Sequence, residues 1–412
     1  MTFVNALKCA KEICQELRQS GHIAYFTGGW VRDYLLGITS SDIDIATNAD
    51  PEEIIKIFPD HVLVGAQFGV VLVLYGPFQF EVATFRKDVL YENGRTPSEV
   101  ILKSSSEEDA KRRDFTINGM FFDPVTEEIY DFVGGKADLE RKVIRCIGVP
   151  QARFQEDRLR MLRAIRFAHR FGFAIDESTR RAIATLSHTL LPAVSMERIW
   201  QELCKMREAP LFKEALLEMH TLGLLGTIFP PLKNVTLQTL LSRLEGIETL
   251  QAHVPTILFL VKLFGTDDEP FVKNLHQTLR ASREEGKWIE AFLEFKKLAL
   301  EELEPYLLAK LFANSRFEIV FEVLLCQKSE EERKQFLEWY KKRHHELEFF
   351  IHCLRKKEPL ITSKDLSALG IKPGKEMGQL LQEAEKIAIN LHLIHKHEIL
   401  EKLQKMPLWP VL

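Results

Sequence analysis

Between residues 21 and 145, short runs rich in β-branched and aromatic residues alternate with Gly, Pro and Asp punctuation. Runs at 23–27, 43–47, 62–64, 69–75 and 78–85 predict strands, because apolar residues at alternate positions suit a half-buried pleat. Helical spacing predicts helices over 30–36 and 51–58. It also predicts an amino-terminal helix over 1–17 whose apolar face carries Leu7, Ala10, Ile13, Cys14 and Leu17. After about Val149 the alternation gives way to 3.6-residue periodicity, broken at Pro192, Pro210, Pro230, Pro255, Pro305 and Pro359. The expectation is an α+β fold: a head with a mixed sheet and helices over 1–145, a helical neck over 146–206, and a helical body and tail over 207–412.

The 412 residues are 46% hydrophobic and 28% charged, which sets aside collagen-like and disordered classes. The longest strongly apolar run, 255–261, stops at Lys262, far short of the roughly 20 residues that cross a bilayer. Neither a membrane helix nor a secretory signal is expected, and the expected location is the cytoplasm. Six cysteines without a Cys-x-x-Cys spacing are expected as free thiols. The net charge of −4 conceals a local excess, since residues 141–181 hold eleven Lys or Arg against four Asp or Glu. Such a stripe is a footprint for a polyanion.

Candidate chemistry begins at Gly28-Gly29, followed by Arg32. A glycine pair between strand and helix lets backbone amides approach phosphate oxygens, although a plain turn would use the same residues. Asp42 and Asp44 alternate on a strand and so project from one face, with Ile43 and Ile45 toward the core. Two like charges side by side call for a cation, and magnesium suits a few carboxylates completed by water and phosphate oxygens. Glu81 interrupts an apolar strand; it is either a third acid at that metal or a structural partner of Arg86 or Arg32.

Four motifs then fall in order: Gly28-Gly29-x-Val31-Arg32-Asp33 with Asp42-x-Asp44; Arg112-Arg113-Asp114-Phe115-Thr116-x-Asn118; Asp131-x-x-Gly134-Gly135-x-x-Asp138-Leu139 with Ile144-Arg145; and Glu156-Asp157-x-x-Arg160-Met161-Leu162-Arg163-Ala164-x-Arg166-Phe167. Together they resemble the class II tRNA nucleotidyltransferase and bacterial poly(A) polymerase family over residues 20–206. The resemblance implies a polymerase-beta-like head, a neck that binds the incoming nucleotide, and a body and tail that hold RNA. It implies two magnesium ions on Asp42 and Asp44. Nucleotide contacts are implied for Gly28, Gly29, Arg32, Arg113, Asp114, Asn118, Asp157, Arg160, Arg163 and Arg166. The expected reaction is template-independent addition of CMP and AMP, as CCA, to the 3′ end of tRNA from CTP and ATP. Poly(A) synthesis, C-only or A-only addition on another RNA 3′ end, and a non-catalytic RNA-binding relative are the alternatives. Residues 64–71 and the lack of a long basic tail at 406–412 favour the tRNA-directed kind.

Hydrogen-bond arithmetic gives the nucleotide choice a physical basis. Cytosine and adenine pair an exocyclic amino donor with an unprotonated ring nitrogen, whereas uracil and guanine reverse both roles. A carboxylate at Asp157 and a guanidinium at Arg160, one helical turn on, match the first pair. In isolation the two would pass for a surface ion pair, but Arg160, Arg163 and Arg166 in steps of three suggest an anion groove. The polar stretch 86–110 is expected as a loop beside the site, and His392, His395 and His397 as a solvated helix face.

Overall fold

The computed structural model describes residues 3–63, 69–90, 99–102, 104–326 and 328–409. The tRNA-directed feature at 64–71, the middle of the polar stretch and the final residues of the tail thus lie partly outside the described residues. The chain divides into two compact units, Met1–Gln238 and Thr239–Leu412.

The first unit runs α1 (Phe3–Gln19), β1 (Ala24–Thr27), α2 (Gly29–Leu35), β2 (Asp44–Thr47), α3 (Pro51–Ile57), β3 (His61–Val62), β4 (Val70–Tyr75), β5 (Phe78–Thr84), β6 (Arg86–Leu90), β7 (Glu99–Leu102), α4 (Ser106–Lys111), β8 (Met120–Phe122), β9 (Ile129–Asp131), α5 (Gly135–Glu140) and β10 (Val143–Ile144). Helical structure follows in α6 (Pro150–Glu156), α7 (Arg160–Phe171), the short strand β11 (Ala174–Ile175), α8 (Glu177–Leu186), α9 (Leu190–Ala193) and α10 (Met196–Arg207), then Phe212–Thr221 and Leu224–Ile228. Seven strands form one sheet in the order β3-β4-β5-β2-β1-β8-β9. Only β2 and β5 pair in parallel; every other ladder is antiparallel. The sheet is therefore mixed, as the sequence pattern anticipates.

Helix α1 packs against the sheet through Ala6, Ala10, Ile13, Cys14 and Leu17, while Leu7 is only half-buried. In β2 and the residue before it, Ile43 and Ile45 are buried, which turns Asp42 and Asp44 to the other side. The ladder itself starts at Asp44, so Asp42 sits in the loop that enters the strand. All six cysteines are free.

Two expectations need correction. The stretch 86–110 is not simply a loop: β6 and β7 pair as an antiparallel ribbon, and α4 follows behind a capping box in which Ser105 and Glu108 satisfy each other's amides. Arg86-Lys87-Asp88 opens the first of these strands without the apolar alternation by which a strand is read. The helical region also contains β11, which pairs in parallel with β10 after Gly172 ends α7 in the left-handed conformation.

The described residues of the second unit are helical. Its core is aromatic, with Phe312, Phe317 and Phe321 each 5.0 to 5.9 Å from the ring of Tyr340 or from one another. Tyr340 belongs to the long helix Glu330–Lys356, whose start is capped by Ser329 and Glu332.

Candidate active site

The site forms where β1, β2 and the segment after α4 meet the α6–α7 turn, all within the first unit. Gly28, between β1 and α2, has φ 69°. A Cβ there would lie 3.3 Å from Nη1 of Arg113 and 3.5 Å from Oδ2 of Asp44. The position thus requires both the left-handed backbone and the missing side chain, and brings main chain, carboxylate and guanidinium together.

Burial raises the Asp44 carboxyl to about 6; Asp42 and Glu81 push it in the same direction, and Arg113 opposes them. Glu81 is nevertheless exposed, one residue before the Ile45–Val82 pairing of β2 with β5. It is not the buried charge that the sequence suggests. Arg32 is instead engaged by Asp33 and Asn118. Among the described residues no three His, Cys, Asp or Glu side chains form a metal-holding group by themselves. Two neighbouring carboxylates, with ionisation of Asp44 disfavoured, are a donor set that a divalent cation would satisfy, with the remaining ligands drawn from water and phosphates.

Arginines face these acids, each held by a second residue. Asp109 is buried and accepts from Arg112 at 2.9 Å and from Arg113 at 3.1 and 2.9 Å. A relay crosses the pocket wall. Arg32 Nη1 donates to Asn118 Oδ1 (2.7 Å), Asn118 Nδ2 donates to Asp114 Oδ1 (3.0 Å), and Arg163 donates twice to Asp114 Oδ2 (2.9 and 2.7 Å). Burial alone would raise the Asp114 carboxyl, but Arg163, Asn118 and the Phe115 amide outweigh it and hold it at about 2.

Asp157 and Arg160 do not share a helix. The chain is extended at Asp157 (φ −143°, ψ 105°), which ends α6 before α7 begins at Arg160. The Arg160 amide donates to the Asp157 carbonyl (3.1 Å), but their side chains turn to other partners: Asp157 accepts from Arg198 (2.9 and 3.3 Å), and Arg160 donates to Glu156 (2.8 Å) and to backbone carbonyls of Arg153 and Arg112.

One cavity of about 420 Å³ gathers Gly28, Gly29, Arg32, Asp42, Asp44, Arg113, Asp114, Asn118, Asp157, Arg160 and Arg163, together with Arg112 and Phe167. Glu81 and Arg166 are not in its lining. Arg166 is buried and donates to Glu202 of α10, its guanidinium 4.3 Å from the Phe167 ring centre. Helix geometry explains the exchange. At about 100° per residue, a step of six from Arg160 rotates Arg166 some 120° away, whereas a step of seven returns Phe167 to within about 20°. Phe167 also lies beneath Arg32 (5.3 Å) and Arg163 (5.2 Å). The heptad spacing was visible in the sequence; Asp109 and Glu202, four residues from Arg113 and far along the chain from Arg166, carried no signal that marked them. His392, His395 and His397 are exposed as expected, but they do not share a helix face: His392 and His395 lie in the connection that precedes the helix Lys396–Gln404, and only His397 is within it.

Comparison with known proteins follows the same line. The family described as the poly A polymerase head domain matches residues 24–145, and that described as a probable RNA- and SrmB-binding site of polymerase A matches residues 172–235. The chain is 35% identical over 418 residues to the CCA-adding enzyme of Enterococcus faecalis, covering 97% of this chain and 96% of that protein. Its match to the CCA-adding enzyme of Geobacillus kaustophilus is 42% over 212 residues, 52% of each. Among solved structures, the Bacillus stearothermophilus CCA-adding enzyme in complex with CTP superposes with a TM-score of 0.79 at 29% identity, covering 96% of this chain and 97% of that one. The Thermotoga maritima CCA-adding enzyme complexed with tRNA shares the fold at a TM-score of 0.69 and 23% identity, covering 96% and 93%.

Proposed function

The chain belongs to the family of CCA-adding tRNA nucleotidyltransferases, and from that premise we propose that it adds CMP and AMP to the 3′ end of tRNA from CTP and ATP at the cavity just described. The observation that carries this reading is the confrontation, in one cavity, of the Asp42–Asp44 pair with a set of arginines that are already held in place. Magnesium ions bound by Asp42 and Asp44 would acidify the primer hydroxyl and offset charge on the triphosphate.

The chain's own residues supply position and charge. Arg113 and Arg163 present planar guanidiniums whose donors suit phosphate oxygens, and their carboxylate partners fix them before the nucleotide arrives. Gly28 and Gly29 leave room for phosphate to approach the main chain. Asn118 and Asp114, tied into the Arg32–Arg163 relay, form the wall proposed to face the ribose. Phe167 offers a flat apolar surface beside Asp157 and Arg160, which we assign to the base. A cytosine or adenine there gives its amino proton to Asp157 and takes one from Arg160. Uracil or guanine would set a carbonyl against the Asp157 carboxylate and an N–H against the Arg160 guanidinium, with each unmet hydrogen bond costing about 1–3 kcal/mol. Discrimination therefore works by mismatch, with the protein in place of a template.

The test supplies tRNA that ends before CCA and one labelled nucleotide at a time. Incorporation of two C and then one A is expected, and long A tracts on arbitrary RNA would overturn the assignment. Asp42→Ala with Asp44→Ala should abolish incorporation while tRNA binding persists; unchanged incorporation would remove the carboxylates from the chemistry. Action on tRNA suits a cytoplasmic location, and no helix among the described residues is long and apolar enough to cross a membrane.

A further inference from the structure

The second unit contains a cavity of about 370 Å³ that nucleotidyl transfer leaves unused. One side is apolar, with Val261, Phe264, Phe292 and Leu324. The other is cationic, with Lys262, Lys296 and Arg243. Lys262, just past the helix Thr256–Val261, is 8% exposed, and among the described residues its ammonium has no hydrogen-bond or ion-pair partner. A largely buried lysine gains from a counter-charge brought to its ammonium. Burial accordingly lowers the Lys262 pKa; Cys326 opposes this and Lys296 adds to it, which places the two lysines within electrostatic reach across the cavity. Arg243 forms part of the wall, donating to the Leu263 carbonyl at 2.7 Å with Asp268 at 3.8 Å. Its guanidinium lies where a Cβ on Gly265 would come within 2.6 Å. The one acid in the lining, Glu269, is taken by Lys297 at 2.6 Å. The lining carboxylate is therefore not paired with Lys262 or Lys296.

We propose that this cavity is a binding site for a small phosphorylated molecule, its phosphate between Lys262 and Lys296 and its apolar or aromatic body against Phe264 and Phe292. The volume falls within the roughly 300–1,000 Å³ of small-molecule sites, and an apolar wall with a few convergent polar groups is their usual composition. The site lies in the unit that does not hold Asp42 and Asp44.

Pyridoxal 5′-phosphate is the probe, applied to the full chain. With its phosphate at Lys296, its aldehyde reaches the Lys262 amine; the two condense to an imine with release of water, and borohydride reduces the imine to a stable secondary amine. Peptide mapping by mass spectrometry should find Lys262 labelled, and excess AMP should suppress that label. Lys296→Ala, a change at an exposed residue, should lower labelling at subsaturating probe by about tenfold, the factor for one lost charge-assisted hydrogen bond. The proposal is overturned if Lys262 stays unlabelled while exposed Lys287 reacts, or if neither AMP nor Lys296→Ala changes the label. It is also overturned if tRNA protects Lys262 and AMP does not, since the cavity would then belong to an RNA surface. None of these readouts depends on nucleotide incorporation.

Discussion

Replacing Asp109 by alanine should damage both the fold and the pocket, although Asp109 does not line the pocket. Asp109, 1% exposed, accepts from Nε of Arg112 and from Nε and Nη2 of Arg113 at 2.9 to 3.1 Å, with Nη2 of Arg112 a further ion-pair contact at 2.8 Å. It also takes the amide of Arg86 at the root of the β6–β7 ribbon (3.3 Å). Burial alone would raise its pKa, but Arg113 and Arg112 reverse the shift. Removing one partner of a buried pair typically costs about 3–5 kcal/mol, because the other charge is stranded. The two arginine side chains keep 19% and 16% of their exposure, so water can recover part of that loss, and the lower figure of about 3 kcal/mol applies. At about 2–4 °C per kcal/mol for a unit of this size, the first unit should melt about 6–12 °C earlier. The freed Arg113 should also raise KM for CTP. Asp109→Asn, which keeps an acceptor oxygen and the volume, should lose less in both assays. A melting temperature within about 2 °C of the parent, with KM unchanged, would refute the claim that one carboxylate organises both arginines.

Asp114, held at about 2 against an ordinary 3.8, contributes about 2 kcal/mol of stability. Because its folded pKa is depressed, that contribution is present above pH 4 and fades as pH falls through 2. Asp114→Asn should therefore lower the denaturant midpoint at pH 7 and flatten its decline between about pH 4 and 2, as measured by unfolding at stepped pH. Glu202→Gln should strand the buried Arg166 and lower the melting temperature, at a cost of about 3 kcal/mol, while KM for CTP changes little because neither residue lines the cavity. Arg198→Met should release Asp157 from its ion pair; single-nucleotide incorporation assays are expected to show UTP and GTP gaining relative to CTP and ATP, as the carboxylate is free to turn away from the base.

The mixed sheet and the acid pair were legible because both obey a local rule. Ile43 and Ile45 alternate with Asp42 and Asp44, and a period of two survives whatever the sheet order turns out to be. Local rules failed where a distant partner decides the outcome. A break at Asp157 turns what looks like a single amphipathic run into two helices, and Arg198, 41 residues on, takes the carboxylate. Arg166 looked like the third member of a groove, but Glu202, 36 residues on, captures it. Glu81 seemed buried because its neighbours are apolar, yet alternation along β5 leaves Phe80 and Val82 inside and Glu81 outside. The ribbon of β6 and β7 was not legible because Arg86-Lys87-Asp88 opens it without an apolar alternation.

The pairing of every arginine in the cavity lining with a carboxylate bears on how the nucleotide is chosen. Arg32 has Asp33, Arg112 and Arg113 share Asp109, Arg160 has Glu156, and Arg163 has Asp114. These bonds hold each guanidinium in a fixed orientation. A count of acceptor positions at Asp157 gives a sharper result. A carboxylate offers about four acceptor positions; two are taken by Arg198 and a third by the Leu159 amide at 3.1 Å. One position remains, enough for the single amino proton that cytosine or adenine directs at it. Because the other three bonds fix the carboxylate, it cannot rotate to avoid a uracil or guanine carbonyl, and rejection of those bases follows from rigidity as much as from charge.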